Sequence, residues 1–237
     1  MSDIARRLIL EVLVVLTGMP RQIGRCLRAA AFLVCRMRRV ITYIDGFNLY
    51  HAVDDLKDQR LKWLDLWALS ASLLRAEETL KTVNYFSAYA TWLHEPYSRH
   101  RAYVAALRAR GVSVIMGKFK QKPRSCRACG AMWMGHEEKE TDVHIAVRLV
   151  ADALLNAFER AILISADSDL APALRVVLQH RPEKQLLFVA PPGRFGSARD
   201  LGPKLELTKG RIRKCLLPAE LLDAAGNVIR RPGEYDA

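Results

Sequence analysis

Four aspartates, Asp45, Asp142, Asp167 and Asp169, stand where an α/β protein would open onto a ligand. Asp45 ends the apolar run Val40-Ile41-Thr42-Tyr43-Ile44 and precedes Gly46-Phe47-Asn48. Asp167 and Asp169 follow a second run, Ala161-Ile162-Leu163-Ile164, across Ser165-Ala166. Short apolar runs that end abruptly in polar residues read as buried strands, and open α/β sheets bind ligands beyond the carboxyl ends of their strands. Clustered carboxylates repel one another unless a cation sits between them, and hard oxygen ligands favour Mg²⁺ or Mn²⁺. The chemistry this points to is metal-dependent work on phosphate.

Each residue also has an ordinary role. Asp45 and Asn48 can cap and turn, with Gly46 read as allowing a tight turn beside Asp45. Ser168 or Asp169 can cap a helix beginning near Leu170, yet two aspartates after a buried strand exceed what capping requires. The segment Glu137-Glu138-Lys139-Glu140-Thr141-Asp142 is an acid-rich first helical turn, which the helix dipole favours. Thr141 is the expected cap, Asp142 the chemical candidate and Glu140 a weaker one. Val143, Val147 and Val150 are read as that helix's apolar face. No Ser-His-Asp or Cys-His arrangement competes: His51, His94, His100, His144 and His180 are scattered and read as surface or structural.

The elements that must position these groups alternate. Strands are expected at 40–45, 81–90, 112–116, 161–165 and 185–190, with a short one at 205–208. Helices are expected at 63–75, 97–110, 141–158 and 170–179, and a loop at 118–136. Alternating strands and helices give βαβ units and a mostly parallel sheet. The last twenty residues, with Pro218, Gly226 and Pro232, read as a turn-rich tail. The expected organisation is an extension over 1–36, a domain over 37–215 and a tail over 216–237.

The chain has 237 residues and a net charge of +12, with 51% hydrophobic and 26% charged residues, ordinary for a globular protein. Residues 1–39 hold eight arginines against Asp3 and Glu11, so half of the net charge lies there. Lys118, Lys120, Lys122, Arg124 and Arg127 form a run without acids, able to hold phosphates or simply to be a solvated basic loop. Residues 1–36 admit three readings: a signal peptide, a basic amphipathic helix, or an extension ahead of a true start at Met37, the last preferred. No stretch reaches the ~20 apolar residues of a membrane span. Five cysteines without a paired framework suggest a reducing cytoplasm. Cys126-Arg127-Ala128-Cys129, with His136, has the spacing of half a zinc site. Trp133 and Met134 beside it can stack on a base or pack under the loop.

Three blocks, Ile44-Asp45-Gly46-Phe47-Asn48-Leu49-Tyr50, Glu138-Lys139-Glu140-Thr141-Asp142-Val143 and Ser165-Ala166-Asp167-Ser168-Asp169-Leu170, resemble the signature blocks of the NYN domain family. That family belongs to the PIN-like nuclease superfold, and the resemblance covers about residues 39–215. It implies a three-layer α/β fold with a mostly parallel central sheet flanked by helices. It further implies Mg²⁺ or Mn²⁺ in an acidic pocket and a metal-activated water attacking an RNA phosphodiester. Asp45, Asp142, Asp167 and Asp169 would be the carboxylates, with Asn48 and Ser168 as polar helpers. Ala166 departs from the glycine usual in the family. Some relatives carry a similar Cys-x-x-Cys insert, in keeping with a structural Zn²⁺ on Cys126, Cys129 and His136, completed by Glu137, His94, His100 or a partner chain. The expected function is a cytoplasmic metal-dependent ribonuclease whose Lys118, Lys120, Lys122 and Arg124 hold RNA, with homo-oligomerisation open. The alternatives are a non-catalytic RNA- or nucleotide-binding module and the toxin of a toxin–antitoxin pair.

Overall fold

The computed structural model describes residues 37–201 and 204–236; the three readings of residues 1–36 lie outside them. In chain order the elements are β1 (Arg38–Asp45), α1 (Gly46–Asp54), α2 (Leu66–Ala71), β2 (Glu78–Ser87), α3 (His94–Ala109), β3 (Ser113–Met116), β4 (Lys118–Ser125), β5 (Met132–Lys139), α4 (Thr141–Leu154), β6 (Arg160–Ile164), α5 (Ala171–His180), β7 (Gln185–Ala190), β8 (Lys204–Glu206), α6 (Lys209–Arg213), β9 (Glu220–Leu222) and β10 (Val228–Arg230). Six strands form a parallel sheet ordered β3-β2-β1-β6-β7-β8. β1 pairs with β6 from Val40 opposite Arg160 to Ile44 opposite Ile164.

Both faces of this sheet are covered, which is why its strands read as continuous apolar runs. Val40, Ile44, Ile162 and Ile164 pack towards Leu49 and Val53 of α1, Leu66 and Leu69 of α2, and Val104 and Leu107 of α3. Ile41, Tyr43, Leu163 and Phe188 pack towards Ile145 and Leu149 of α4 and Leu174 and Val177 of α5. The result is the expected three-layer α/β architecture. From β1 the chain winds outward to β2 and β3; from β6 it winds the other way to β7 and β8. The winding reverses between β1 and β6, and this is where open α/β sheets form a crevice.

Several elements differ from expectation for identifiable reasons. The helix expected over 63–75 is confined to α2, preceded by a 3-10 turn over Gln59–Lys62. Asp65 interrupts it by capping α2, accepting the Ala68 N–H at 2.9 Å. Trp63 is fully buried instead, its indole donating to the Pro218 carbonyl at 2.8 Å. The loop expected over 118–136 is an antiparallel hairpin of β4 and β5. The tail holds a second hairpin, β9–β10, and Tyr235 packs on Trp63 with ring centroids 6.4 Å apart. On α4 the core face is Ile145, Leu149 and Ala153, while Val143 and Val147 are exposed.

At the end of the sheet opposite the crevice, Arg160 opens β6 and Glu78 opens β2. Their side chains, 4% and 0% exposed, are joined at 2.5 Å.

Candidate metal centre at the switch point

Asp45 is the last residue of β1 and the N-cap of α1, accepting the Asn48 N–H at 3.0 Å. Its other oxygen accepts the Ser165 hydroxyl, from just beyond β6, at 2.9 Å. Ser165 Oγ in turn accepts the Asp167 N–H at 3.0 Å, and Asn48 Oδ1 accepts the Ala166 N–H at 3.0 Å. Two of these bonds, Ser165 to Asp45 and Ala166 to Asn48, therefore tie the end of β1 to the end of β6, and the other two fix each end locally. Capping and function do not compete at Asp45; the cap holds the carboxylate still. Asn48, expected to orient a ligand, spends its carbonyl on this brace. Gly46 serves close packing rather than a tight turn: a Cβ there would meet the Phe86 carbonyl at 2.5 Å and the Tyr85 ring at 2.7 Å.

Asp167 caps the 3-10 turn Ser168–Leu170 by accepting the Asp169 N–H at 2.8 Å. It is half-buried, whereas Ser168 and Asp169 are exposed. Asp142 lies in the first turn of α4. Burial pushes its carboxyl up to about 6, and the charges of Asp45, Asp167, Glu138 and Asp169 push in the same direction. Burial also raises Asp45, partly offset by the Asn48 and Ser165 hydrogen bonds, with Asp167 and Glu138 adding repulsion. No cation is among the largest influences on either group. The four expected aspartates are thus brought together, with the charges of Asp45, Asp167 and Asp169 acting on Asp142.

Glu138 is a fifth member that the sequence reading missed. Its Oε1 accepts both the backbone N–H and the hydroxyl of Thr141, fixing the start of α4. Strand alternation in β5 is the available signal, since it separates Glu138 from Glu137, whose partners are Lys122 and Lys139. Glu140, the weaker candidate, has a left-handed backbone, caps α4 by position and pairs with Lys118.

Among the described residues, no three His, Cys, Asp or Glu side chains close around one point as a ready coordination sphere. The donor chemistry nevertheless fits Mg²⁺ or Mn²⁺. Mg²⁺ keeps several waters and needs only one or two carboxylates, and mutually repelling acids with a raised pKa gain from a cation. Asp45 and Asp167, rooted in the two strand ends, would hold it, with Asp142 and Asp169 alongside.

This clustering has a measurable consequence. A folded-state value near 6 against 3.8 for an ordinary Asp means that the folded protein holds the Asp142 proton more tightly than the unfolded chain. The cost of ionising it is absent below pH ~4, grows as pH rises to ~6 and is complete above that. Asp142 is only partly buried, so the cost is discounted to about 1 kcal/mol. Asp142→Asn is therefore expected to raise Tm by about 2–4 °C at pH 7.5 and leave it unchanged at pH 4. Thermal melts at the two pH values check this.

The hairpin stands beside the site through Phe119, whose ring is 5.6 Å from that of Phe47 in α1, and through β5, which leads into α4. Its alternation sets Lys118, Lys120, Lys122 and Arg124 on one face, with Trp133 opposite Arg124. Lys118 and Lys122 pair with Glu140 and Glu137; Lys120 and Arg124 have no acidic partner among the described residues. Cys126 and Cys129 lie in the turn, where the Cys129 and Ala128 N–H groups lower the Cys126 thiol. His136 does not join them. It sits four residues into β5 from Met132, about 13 Å along the strand, with its ring stacked 3.6 Å from Trp92. Two thiols are half of a structural zinc set. A zinc ion here needs two ligands from outside this turn.

Two known proteins resemble the chain over most of its length. One is the 6-hydroxy-3-succinoylpyridine 3-monooxygenase HspA of Pseudomonas putida (strain DSM 28022 / S16), 27% identical over 223 residues, covering 76% of this chain and 70% of that protein. The other is the crystal structure of a protein of unknown function, VPA0982, from Vibrio parahaemolyticus RIMD 2210633. It aligns at a TM-score of 0.49 and 19% identity, covering 77% of this chain and 98% of that one. The NYN domain model matches residues 39–201, spanning the acidic cluster and the sheet strands from β1 to β7, and the chain belongs to the NYN domain family.

Proposed function

We propose that the protein is a divalent-metal-dependent ribonuclease. The observation that carries this reading is the gathering of Asp45, Glu138, Asp142, Asp167 and Asp169 at the switch point, where, among the described residues, no cation is among the largest influences on Asp45 or Asp142. Bound Mg²⁺ or Mn²⁺ would supply a water of lowered pKa and offset charge on the phosphate. Asp45 and Asp167 would hold the ion. Asp142, in the first turn of α4 beside these carboxylates, would take the proton from the attacking water. As the new P–O bond forms, the departing sugar oxygen leaves with the P–O bonding pair and takes a proton from solvent.

The cationic face of the β4–β5 hairpin would carry the RNA backbone. The Lys120→Ala, Arg124→Ala double variant is expected to bind single-stranded RNA about 10-fold more weakly near 0.1 M salt. It should lower the slope of log K against log salt by about 1.4, from two lost phosphate contacts, and a filter-binding salt titration measures both. A cytoplasmic setting goes with this substrate.

The deciding experiment incubates the full chain with labelled single-stranded RNA in Mg²⁺, Mn²⁺ or EDTA. Cleavage in either metal and none in EDTA is the expected result. RNA that is bound but never cut in any metal would instead favour the non-catalytic binding module. A second reading, oxygenation of a small aromatic ring, is favoured by the name of the Pseudomonas relative and by a tyrosine-walled cavity beside Asp45. Oxygen consumption with 6-hydroxy-3-succinoylpyridine and a reductant tests it.

A further inference from the structure

On the α1–α3 side of the sheet lies a cavity of about 300 Å³ that the acidic cluster does not use. Five tyrosines wall it: Tyr50, Tyr85, Tyr97, Tyr103 and Tyr235. It adjoins the carboxylates, because Gly46, the residue after Asp45, forms part of its wall and the Tyr85 phenol feels the Asp45 charge. Tyr50 and Leu93, both nearly half exposed, place its mouth at the surface.

The lining describes its ligand. Lys62 and Arg99 are the cations in the wall, and each is already paired, Lys62 with Asp54 and Arg99 with Glu95 and Glu234. An inserted group therefore meets no unpaired charge and should be neutral. Aromatic walls favour a flat ring, because stacking on tyrosine faces tolerates any base. One polar edge is available: His100 Nε2 lies 3.4 Å from the Tyr85 hydroxyl and 3.5 Å from Ser87 Oγ. Hydroxyls and a partly buried imidazole can donate or accept, matching a heterocycle edge that carries both donors and acceptors. The volume stands at the small end of ligand pockets, enough for one such ring and its sugar.

We propose that this tyrosine-walled cavity is a nucleobase subsite, taking one unstacked base of single-stranded RNA so that the adjoining phosphodiester lies beside Asp45. The subsite rests on the ribonuclease reading, but its occupant can be measured without cleavage. Saturation-transfer NMR on the full-length protein with adenosine, guanosine, cytidine and uridine, each at millimolar concentration, is the direct test. Transfer to the base protons of at least one nucleoside is expected, retained in Asp45→Asn and weakened at least about 10-fold in His100→Phe. Because His100 is partly buried and packs within the fold, Tyr50→Ala at the mouth provides a second variant with the same expected direction.

A parallel assay compares RNA with oligomers carrying one abasic residue, moved along the strand. One position is expected to lose about 10-fold or more in kcat/KM. Two failures are distinguishable. If no RNA is cut but nucleosides bind at the cavity, the ribonuclease reading falls and the base subsite stands. If RNA is cut but every abasic oligomer is cut equally and no nucleoside shows transfer, the subsite falls and the nuclease stands. Binding of a hydroxypyridine with no nucleoside binding would also overturn it.

Discussion

Asp45→Asn is expected to reduce metal-dependent RNA cleavage by about 10²–10³-fold while leaving the fold intact. The carbonyl of an asparagine can still accept the Asn48 N–H, and its amide can donate to Ser165 Oγ once the serine hydroxyl turns away. Asparagine is also as good an N-cap as aspartate. What disappears is the negative charge, at a site only 5% exposed. Since burial raises the Asp45 carboxyl, the folded protein resists its ionisation at neutral pH. Removing the charge should therefore hold or raise Tm at pH 7.5, the opposite direction from activity. Single-turnover cleavage at saturating RNA, run beside thermal melts, separates the two. Cleavage within threefold of the parent would remove Asp45 from the centre.

The largest loss of stability is expected from Arg160→Met. Arg160 Nη1 meets Glu78 Oε2 at 2.5 Å, and the same oxygen accepts the Arg75 N–H at 2.8 Å. Neither side chain reaches water to any extent. Deleting the guanidinium strands a buried carboxylate, which typically costs 3–5 kcal/mol, or a fall in Tm of roughly 10 °C for a domain of this size. Adding Glu78→Gln removes the stranded charge and should recover part of that loss, with a coupling of about 1–3 kcal/mol in a double-mutant cycle. Chemical denaturation of the four proteins measures it. Because the pair lies at the sheet end opposite the carboxylates, cleavage at 20 °C should be unchanged wherever the variant stays folded. An additive cycle would show that the two side chains stabilise the sheet independently.

The sheet and the acidic strand ends were legible because they rest on short-range signals. A fully buried parallel strand is a run of apolar residues, and the abrupt change at Ile44-Asp45 or Ile164-Ser165 marks its carboxyl end. The order of strands, and with it the meeting of Asp45 and Ser165, comes from packing between distant segments. The face of α4 shows why helical spacing alone was insufficient: Val143 and Val147 are four apart, but so are Ile145 and Leu149, and only the sheet chooses between them. In the hairpin the signal was present and misread. Lys118, Lys120, Lys122 and Arg124 recur every second residue, the period of a strand, yet their polarity suggested a loop. Glu138 was passed over and His100 read as surface or structural because the surroundings of each depend on a neighbour fixed by tertiary structure, Thr141 for one and Tyr85 for the other.

The bond between Ser165 and Asp45 spans 120 residues of sequence. Contacts so distant along the chain form late, after the intervening segment has been made. A chain emerging from the ribosome has Asp45 exposed early, but it lacks Ser165, Asp167 and Asp169 until more than two thirds of the protein has been synthesised. For an enzyme that cuts RNA, translation takes place on a machine built largely of its own substrate class. On the ribonuclease reading, dividing the centre between β1 and the segment that runs from β5 to just beyond β6 would keep every nascent or truncated product ending before β6 harmless to that machine.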